Sequence, residues 1–179
     1  MHTDFPVISL EEGQGIESKV VELLKAGNLM ITTAESCTGG LISARLVNVS
    51  GASEVFGRSF VTYANEAKVE ELGVKKKTLE KYGAVSKQTV KQMAKGALLH
   101  GKADLAVAVT GLAGPDGGTP KKPVGTGYIG VSCRKKGKAS VYWQKYHFTG
   151  NRSEIREQTA VNALYLVKQM IERMDEHHI

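Results

Sequence analysis

Residues 103–118 read ADLAVAVTGLAGPDGG, and the fold is decided by how that stretch divides. Leu105, Ala106, Val107, Ala108 and Val109 form an unbroken apolar run. A strand with one wet face would alternate, so the run is consistent with a strand covered on both faces. Glycines follow at once. Of the 20 in the chain, seven (Gly111, Gly114, Gly117, Gly118, Gly125, Gly127 and Gly130) fall in this region. They are clustered, not dispersed as in a flexible linker, and Pro115, Pro120 and Pro123 argue for a shaped loop. A buried strand running into such a loop is how open α/β sheets hold ligands beyond the carboxyl ends of their strands. The loop matches neither GxxxxGK[ST] nor GxGxxG, which disfavours a P-loop ATPase or a Rossmann dinucleotide domain.

Working upstream, Val90, Met93, Ala94, Ala97 and Leu98 fall on one face of a helix that Ser86 would cap and Gly101 would follow. Asn65 is expected to N-cap a short helix reaching Leu72, with Gly73 beyond it. Residues 56–63 and 29–33 read as strands; Leu41, Ile42, Ala44, Leu46 and Val47 support a helix, as do Val20, Leu23 and Leu24 before the stop at Gly27-Asn28. Downstream, residues 128–134 and 138–147 flank Lys136-Gly137 as an antiparallel hairpin. Ile155, Val161, Leu164, Val167, Met170, Ile171 and Met174 mark a last helix over 152–174. Helices alternating with strands, plus one hairpin, predict a three-layer α/β/α sandwich around a mixed sheet. Residues 1–15 lack periodicity and read as a poorly tied-down tail, 16–174 as one domain and 175–179 as a polar tail.

The 179 residues, 41% hydrophobic and 23% charged, suit one globular domain. Twenty-four Lys and Arg against 18 Asp and Glu leave a net charge of +6, which suggests anionic partners without choosing among them. No stretch of 18 apolar residues occurs, and the first 20 residues carry acids and Pro6 where a signal peptide would be basic and then apolar, so a soluble cytoplasmic protein with no membrane partner is expected. Cys37 and Cys133 have no CxxC spacing; His2, His100 and His147 stand alone and His177-His178 lies in the tail, so no metal site is expected. The lysine and arginine clusters at 75–77, 121–122 and 134–136 lack interleaved aromatics, and read as solvated loop charges, not a nucleic-acid surface.

Four segments carry residue types able to do chemistry. Thr33-Ala34-Glu35-Ser36-Cys37-Thr38-Gly39-Gly40 stands where a strand hands over to a helix, a place where free backbone N–H groups bind phosphate or stabilise an oxyanion. Ser36 is open to three readings there: a helix cap, a phosphate contact or a nucleophile; the GxSxG elbow of common hydrolases is missing. Cys37 is the rival nucleophile, but no histidine lies within sequence reach to activate it, and a buried inert thiol is the plainer reading. In Tyr63-Ala64-Asn65-Glu66-Ala67-Lys68, Tyr63 and Lys68 would stand about 140° apart on one helix. They converge only if Tyr63 ends a strand and Lys68 enters the first helical turn, at N3 if Asn65 is the cap. There burial and the helix dipole lower an ammonium's pKa from about 10.4, which suits a general base; a solvated lysine and a core tyrosine are the plain alternative. Thr110, Gly111, Ala113 and Gly114 open the glycine loop, either a ligand loop or a surface connection. Arg152 and Arg156 share one helix face, fit to clamp a phosphate or a neighbouring subunit's carboxylate, or to make surface salt bridges.

Together the blocks TAESCTGG (33–40), YANEAK (63–68), GAVS (83–86), TGLAGPDGGTPKKPVGT (110–126) and FTGNRSEIRE (148–157) closely resemble the CinA C-terminal domain family, whose enzymatic members are nicotinamide-nucleotide amidases. The resemblance runs from residue 16 to residue 173. It implies hydrolysis of the carboxamide of nicotinamide mononucleotide (NMN) to nicotinate mononucleotide and ammonia, with no metal or organic cofactor and in a homodimer or higher homo-oligomer. Carried over by position, it makes Ser36 the nucleophile, Lys68 its general base and Tyr63 the residue that assists them. Glu35, Cys37, Thr38, Gly39, Gly40, Thr110, Gly111, Ala113, Gly114 and Arg152 are then expected around the substrate. A catalytically silent nucleotide- or partner-binding module of the same family is the alternative. Gly127 departs from the family pattern, where a larger residue is expected, and would loosen the start of its strand. No molybdopterin-binding-like domain accompanies the 179 residues, so activities of that domain are not expected.

Overall fold

The apolar run is strand β3 (Leu105–Gly111), buried along its length up to Gly111. The computed structural model describes residues 1–135 and 138–176; Lys136-Gly137 and His177-His178 lie outside the described residues. β1 (Ile31–Glu35) runs parallel to β3 on one side and to β2 (Phe56–Val61) on the other. β4 (Thr126–Lys135) pairs antiparallel with β3, and β5 (Lys138–His147) antiparallel with β4. The sheet order is β2-β1-β3-β4-β5. Gly127 pairs with Gly111 and Tyr146 without a break, so the expected loosening does not occur.

Parallel strands need long crossovers, and these supply the outer layers. α1 (Ile16–Ala26), α2 (Leu41–Val47) and α6 (Arg152–Glu176) cover one face; α3 (Asn65–Leu72), α4 (Lys76–Tyr82) and α5 (Lys87–Gly101) cover the other. The period of two along β3 divides the core: Leu105, Val107 and Val109 join the cluster with α1, α2 and α6, whereas Ala106, Ala108 and β1's Ala34 join the α5 cluster. The small side chains on the second face let α5 lie close. A Cβ at Gly101 would stand 2.6 Å from the Thr32 methyl. The three-layer α/β/α sandwich is therefore built as the periodicity predicts, and no helix among the described residues is long and apolar enough to cross a membrane.

Ser86 caps α5 as expected, its hydroxyl accepting from Thr89 N–H at 3.2 Å. Asn65 does not cap α3: Ala64 is the N-cap, in extended backbone without a side-chain bond, so Lys68 falls at N4, not N3. α4 escaped the sequence reading because Thr78 is its only buried residue and its lysines suggested a turn. The N-terminal segment also differs from expectation. Thr3 N–H donates to Trp143 O and Trp143 N–H to Met1 O. The buried amides of Gln144 and Asn162 each make a two-way bond to the backbone, of Phe5 and Ile8 respectively. Those partners are more than a hundred positions distant in the chain, at separations of 139 to 154, and no local pattern announces them.

Candidate active site

The three parallel strands end side by side, β1 between β2 and β3, and each hands the chain to a segment of one cavity of about 260 Å³. Ser36 and Cys37 come from the end of β1, Tyr63 and Lys68 from the end of β2 and the start of α3, and Thr110 from β3. This is the crevice beyond the carboxyl ends of strands where open α/β sheets bind ligands. Two larger grooves, about 430 and 570 Å³, contain neither Ser36 nor Lys68 nor either cysteine.

Glu35 organises the turn that holds Ser36. Its carboxylate is fully buried. One oxygen accepts from the Thr38 hydroxyl at 2.7 Å and from the N–H groups of Gly40 and Ile42; the other accepts from Ser43 N–H and its hydroxyl. A carboxylate satisfying three amides at the start of α2 is a helix cap, favoured by the helix dipole. Glu35 is thus a structural anchor, and it, Thr38, Gly39 and Gly40 lie outside the cavity lining. Gly39 and Gly40 take φ of 60° and 104°, left-handed values that suit glycine.

Amide by amide, the turn leaves two donors over. Ser36 N–H bonds Val109 O, Gly39 N–H bonds Ser36 O and Leu41 N–H bonds Thr38 O, while Gly40 and Ile42 serve Glu35. Among the described residues, the N–H groups of Cys37 and Thr38 have no hydrogen-bond partner in another residue; that of Cys37 engages its own sulfur, and Thr38 is fully buried outside the cavity lining.

Lys68 is the largest of the fully buried side chains, 1% exposed. Its Nζ donates to Thr62 O at 2.8 Å and Tyr63 O at 3.0 Å, with Ala64 O at 3.5 Å. No carboxylate among the described residues forms an ion pair with it. Burial lowers its pKa, against smaller opposing effects of Cys37 and Glu66. Its hydrogen bonds go to these carbonyls and not to the Ser36 hydroxyl. Cys37 is pushed up to about 11, chiefly by burial, so it is a thiol at neutral pH and no rival nucleophile.

Tyr63 is 62% exposed, and its phenol accepts from Arg152 Nη2 at 3.0 Å instead of reaching Lys68 or Ser36. Arg152 Nη1 also donates to Gly114 O at 2.6 Å, so this arginine pins the glycine loop and the tyrosine together at the rim. An Asn151/Glu154 capping box, unnoticed in the sequence, aims that first turn of α6: Glu154 N–H bonds the Asn151 side chain and Asn151 N–H the Glu154 carboxylate. Thr110 spends its hydroxyl on Ala84 O at 2.9 Å, fixing the 83–86 wall. Gly111, Ala113 and Gly114 line the cavity with Asp116, the sole acid in its lining. A Cβ at Gly111 would come within 3.3 Å of the Cys37 sulfur and of Gly127. No group of three His, Cys, Asp or Glu among the described residues could hold a metal ion.

This arrangement has relatives. The CinA C-terminal domain profile matches residues 13–171, and the chain belongs to that family. A competence-damage inducible protein of Caldicellulosiruptor saccharolyticus is 48% identical over 160 residues, which is 89% of this chain and 38% of the relative. A CinA-like protein of Kosmotoga olearia is 46% identical over 158 residues, 88% of this chain and 37% of its own. The chain therefore spans well under half the length of these curated relatives. Among solved structures, the competence/damage inducible protein CihA of Agrobacterium tumefaciens superposes with a TM-score of 0.83 at 40% identity, covering 92% of this chain and 98% of that one. A CinA superfamily protein of Escherichia coli gives 0.80 at 32% identity, covering 93% and 95%.

Proposed function

We propose that the chain is a nicotinamide-nucleotide amidase that hydrolyses the carboxamide of NMN through Ser36 and Lys68. The observation that carries this reading is a buried lysine without a carboxylate partner among the described residues that lines the same cavity as Ser36. A neutral amine has two N–H donors, and the two shorter bonds of Lys68, to Thr62 O and Tyr63 O, use both. Its lone pair is then free for the Ser36 proton.

In the proposed cycle Lys68 Nζ takes the Ser36 hydroxyl proton as Oγ bonds the amide carbon. The carbonyl oxygen becomes an oxyanion received at the cavity-lining Cys37 end of the turn. Lys68 returns the proton to the amide nitrogen, the C–N bond breaks, and ammonia leaves an ester on Ser36. Water then gives one proton to Lys68 and its hydroxyl to the ester carbon; Ser36 Oγ recovers that proton as the ester bond breaks, and the carboxylic acid product loses its own proton to the released ammonia or to solvent and leaves as a carboxylate. Arg152 at the rim suits the substrate phosphate, and the glycine backbone at 111–114 suits close approach of the ring and ribose.

Incubation of purified protein with NMN and EDTA, with nicotinate mononucleotide and ammonia measured, is the direct test. Wild type and Cys37→Ala are expected to turn over, and Ser36→Ala and Lys68→Ala to fall by at least about 1000-fold. A well-folded wild type that yields no product defeats the amidase reading. One observation favours the rival reading of a silent binding module: Lys68 holds backbone carbonyls and not Ser36. NMN binding by calorimetry without turnover would establish it.

A further inference from the structure

Residues 82–87 serve two hollows. Ala84 and Val85 line the cavity of Ser36, whereas Tyr82, Ser86 and Lys87 line the groove of about 430 Å³. Three lysines, Lys87, Lys122 and Lys145, border that groove, and no Asp or Glu does. None of the three forms a salt bridge among the described residues. Like charges gathered without a counter-charge repel one another, and an anion between them removes that cost. Tertiary structure gathers them: Lys87 opens α5, Lys122 ends the glycine loop and Lys145 lies on β5.

Tyr82, Tyr128 and Trp143 give the same groove an aromatic wall. Tyr128 pairs with Lys145 across β4 and β5, and Trp143 precedes Lys145 by two positions, so all three side chains share the sheet face on which α5 packs. The Tyr128 and Trp143 ring centroids are 6.3 Å apart. Lys87 Nζ stands 5.5 Å from the Trp143 ring centroid, and Lys122 Nζ donates to Tyr82 O at 2.9 Å. Cations therefore stand beside half-buried rings. Rings bind nucleobases by stacking and ammonium groups bind phosphate. An inorganic anion has no use for the rings, and an apolar ligand none for the lysines.

We propose that this groove is a second small-molecule site that takes a mononucleotide, its base on the aromatic wall and its phosphate among Lys87, Lys122 and Lys145. The volume lies within the roughly 300–1,000 Å³ of small-ligand pockets. A strand of nucleic acid needs a basic track that continues along its backbone, and of the lysine and arginine clusters at 75–77, 121–122 and 134–136 only Lys122 lines the groove. The groove shares no lining residue with the cavity of Ser36, so the assignment stands apart from the amidase reading.

Trp143 is the single tryptophan of the chain, so its fluorescence reports on the groove directly. Adenosine monophosphate (AMP), titrated at about 0.15 M salt to screen weak surface attraction, is expected to change that fluorescence with half-saturation below about 1 mM. Lys87 and Lys145 are exposed, and replacing both by Ala is expected to weaken AMP at least about tenfold with thermal unfolding unchanged. Arg152→Ala, in the other cavity, is expected to leave the titration as in wild type. Inorganic phosphate and adenosine, each alone, are expected to bind at least about tenfold more weakly than AMP. No response by about 10 mM AMP overturns the assignment. So does phosphate binding as well as AMP, tighter binding of a short oligoadenylate, or loss of the response in Arg152→Ala but not in the lysine variant. If the double variant does not fold, Lys145→Ala alone decides. Because the readout is binding, failure of wild type to hydrolyse NMN counts against the amidase reading and leaves this result standing.

Discussion

At Lys68 two effects oppose each other: removal from water disfavours the ammonium, while the charges of Cys37 and Glu66 favour it more weakly. Burial prevails, and the pKa lies below the ordinary 10.5. For the proposed reaction, kcat/KM is expected to rise with pH along a one-proton limb whose midpoint lies below 10.5; a limb at or above that value would mean that Lys68 is not the base. The same shift couples to stability. Between the folded-state value and that of the unfolded chain, the unfolded state binds more protons, so stability increases with pH across that interval, and below it the whole penalty of burying the ammonium is present. Urea unfolding of wild type and Lys68→Met between about pH 7 and pH 10 should show wild type gaining on the variant as pH rises. A constant difference would show an unshifted lysine. Cys37 and Cys133, both raised to about 11 by burial, are expected to resist iodoacetamide at about pH 7.5, where an ordinary cysteine reacts; intact-mass spectrometry reads the outcome.

Helix positions transmit sequence choices to the cavity. α3, which carries Lys68, sits against α5 where Gly96 offers no side chain: a Cβ there would lie 1.9 Å from Leu72 O. Gly96→Ala is expected to cost about 1–3 kcal/mol in urea unfolding and to lower turnover by displacing α3; an unchanged midpoint would show that α3 moves freely. At the other wall, Asn151→Ala removes half of the capping box and is expected to cost about 1 kcal/mol. Element types were legible for α5, β3 and α6, whose apolar spacing is strong. α4 was not, since its stability comes from packing on α5 and not from a stripe of its own. Nor was the cap of α2, because Glu35 serves amides five to eight residues ahead, outside the reach of the usual N-cap signature.

Across the whole molecule, long-range polar bonds finish what periodicity begins. Asn162, fully buried in α6, holds both backbone groups of Ile8. Asn162→Leu leaves those groups unpaired and is expected to cost about 1–3 kcal/mol, with limited proteolysis newly cutting the first dozen residues; resistance equal to wild type would show the segment anchored by other contacts. Sequence by itself determined the three-layer α/β class, the Ser86 cap and the strand-end placement of Ser36 and Thr110, because turns, caps and hydrophobic periods are properties of neighbouring residues. Only the tertiary structure decided that Glu35 faces a helix start and not the cavity, that Tyr63 answers to Arg152, and that Arg156 grips the turn at Cys37 from 119 positions away. Those outcomes depend on which groups compete for each hydrogen bond once β1, β2 and β3 lie side by side, and local spacing does not hold that information.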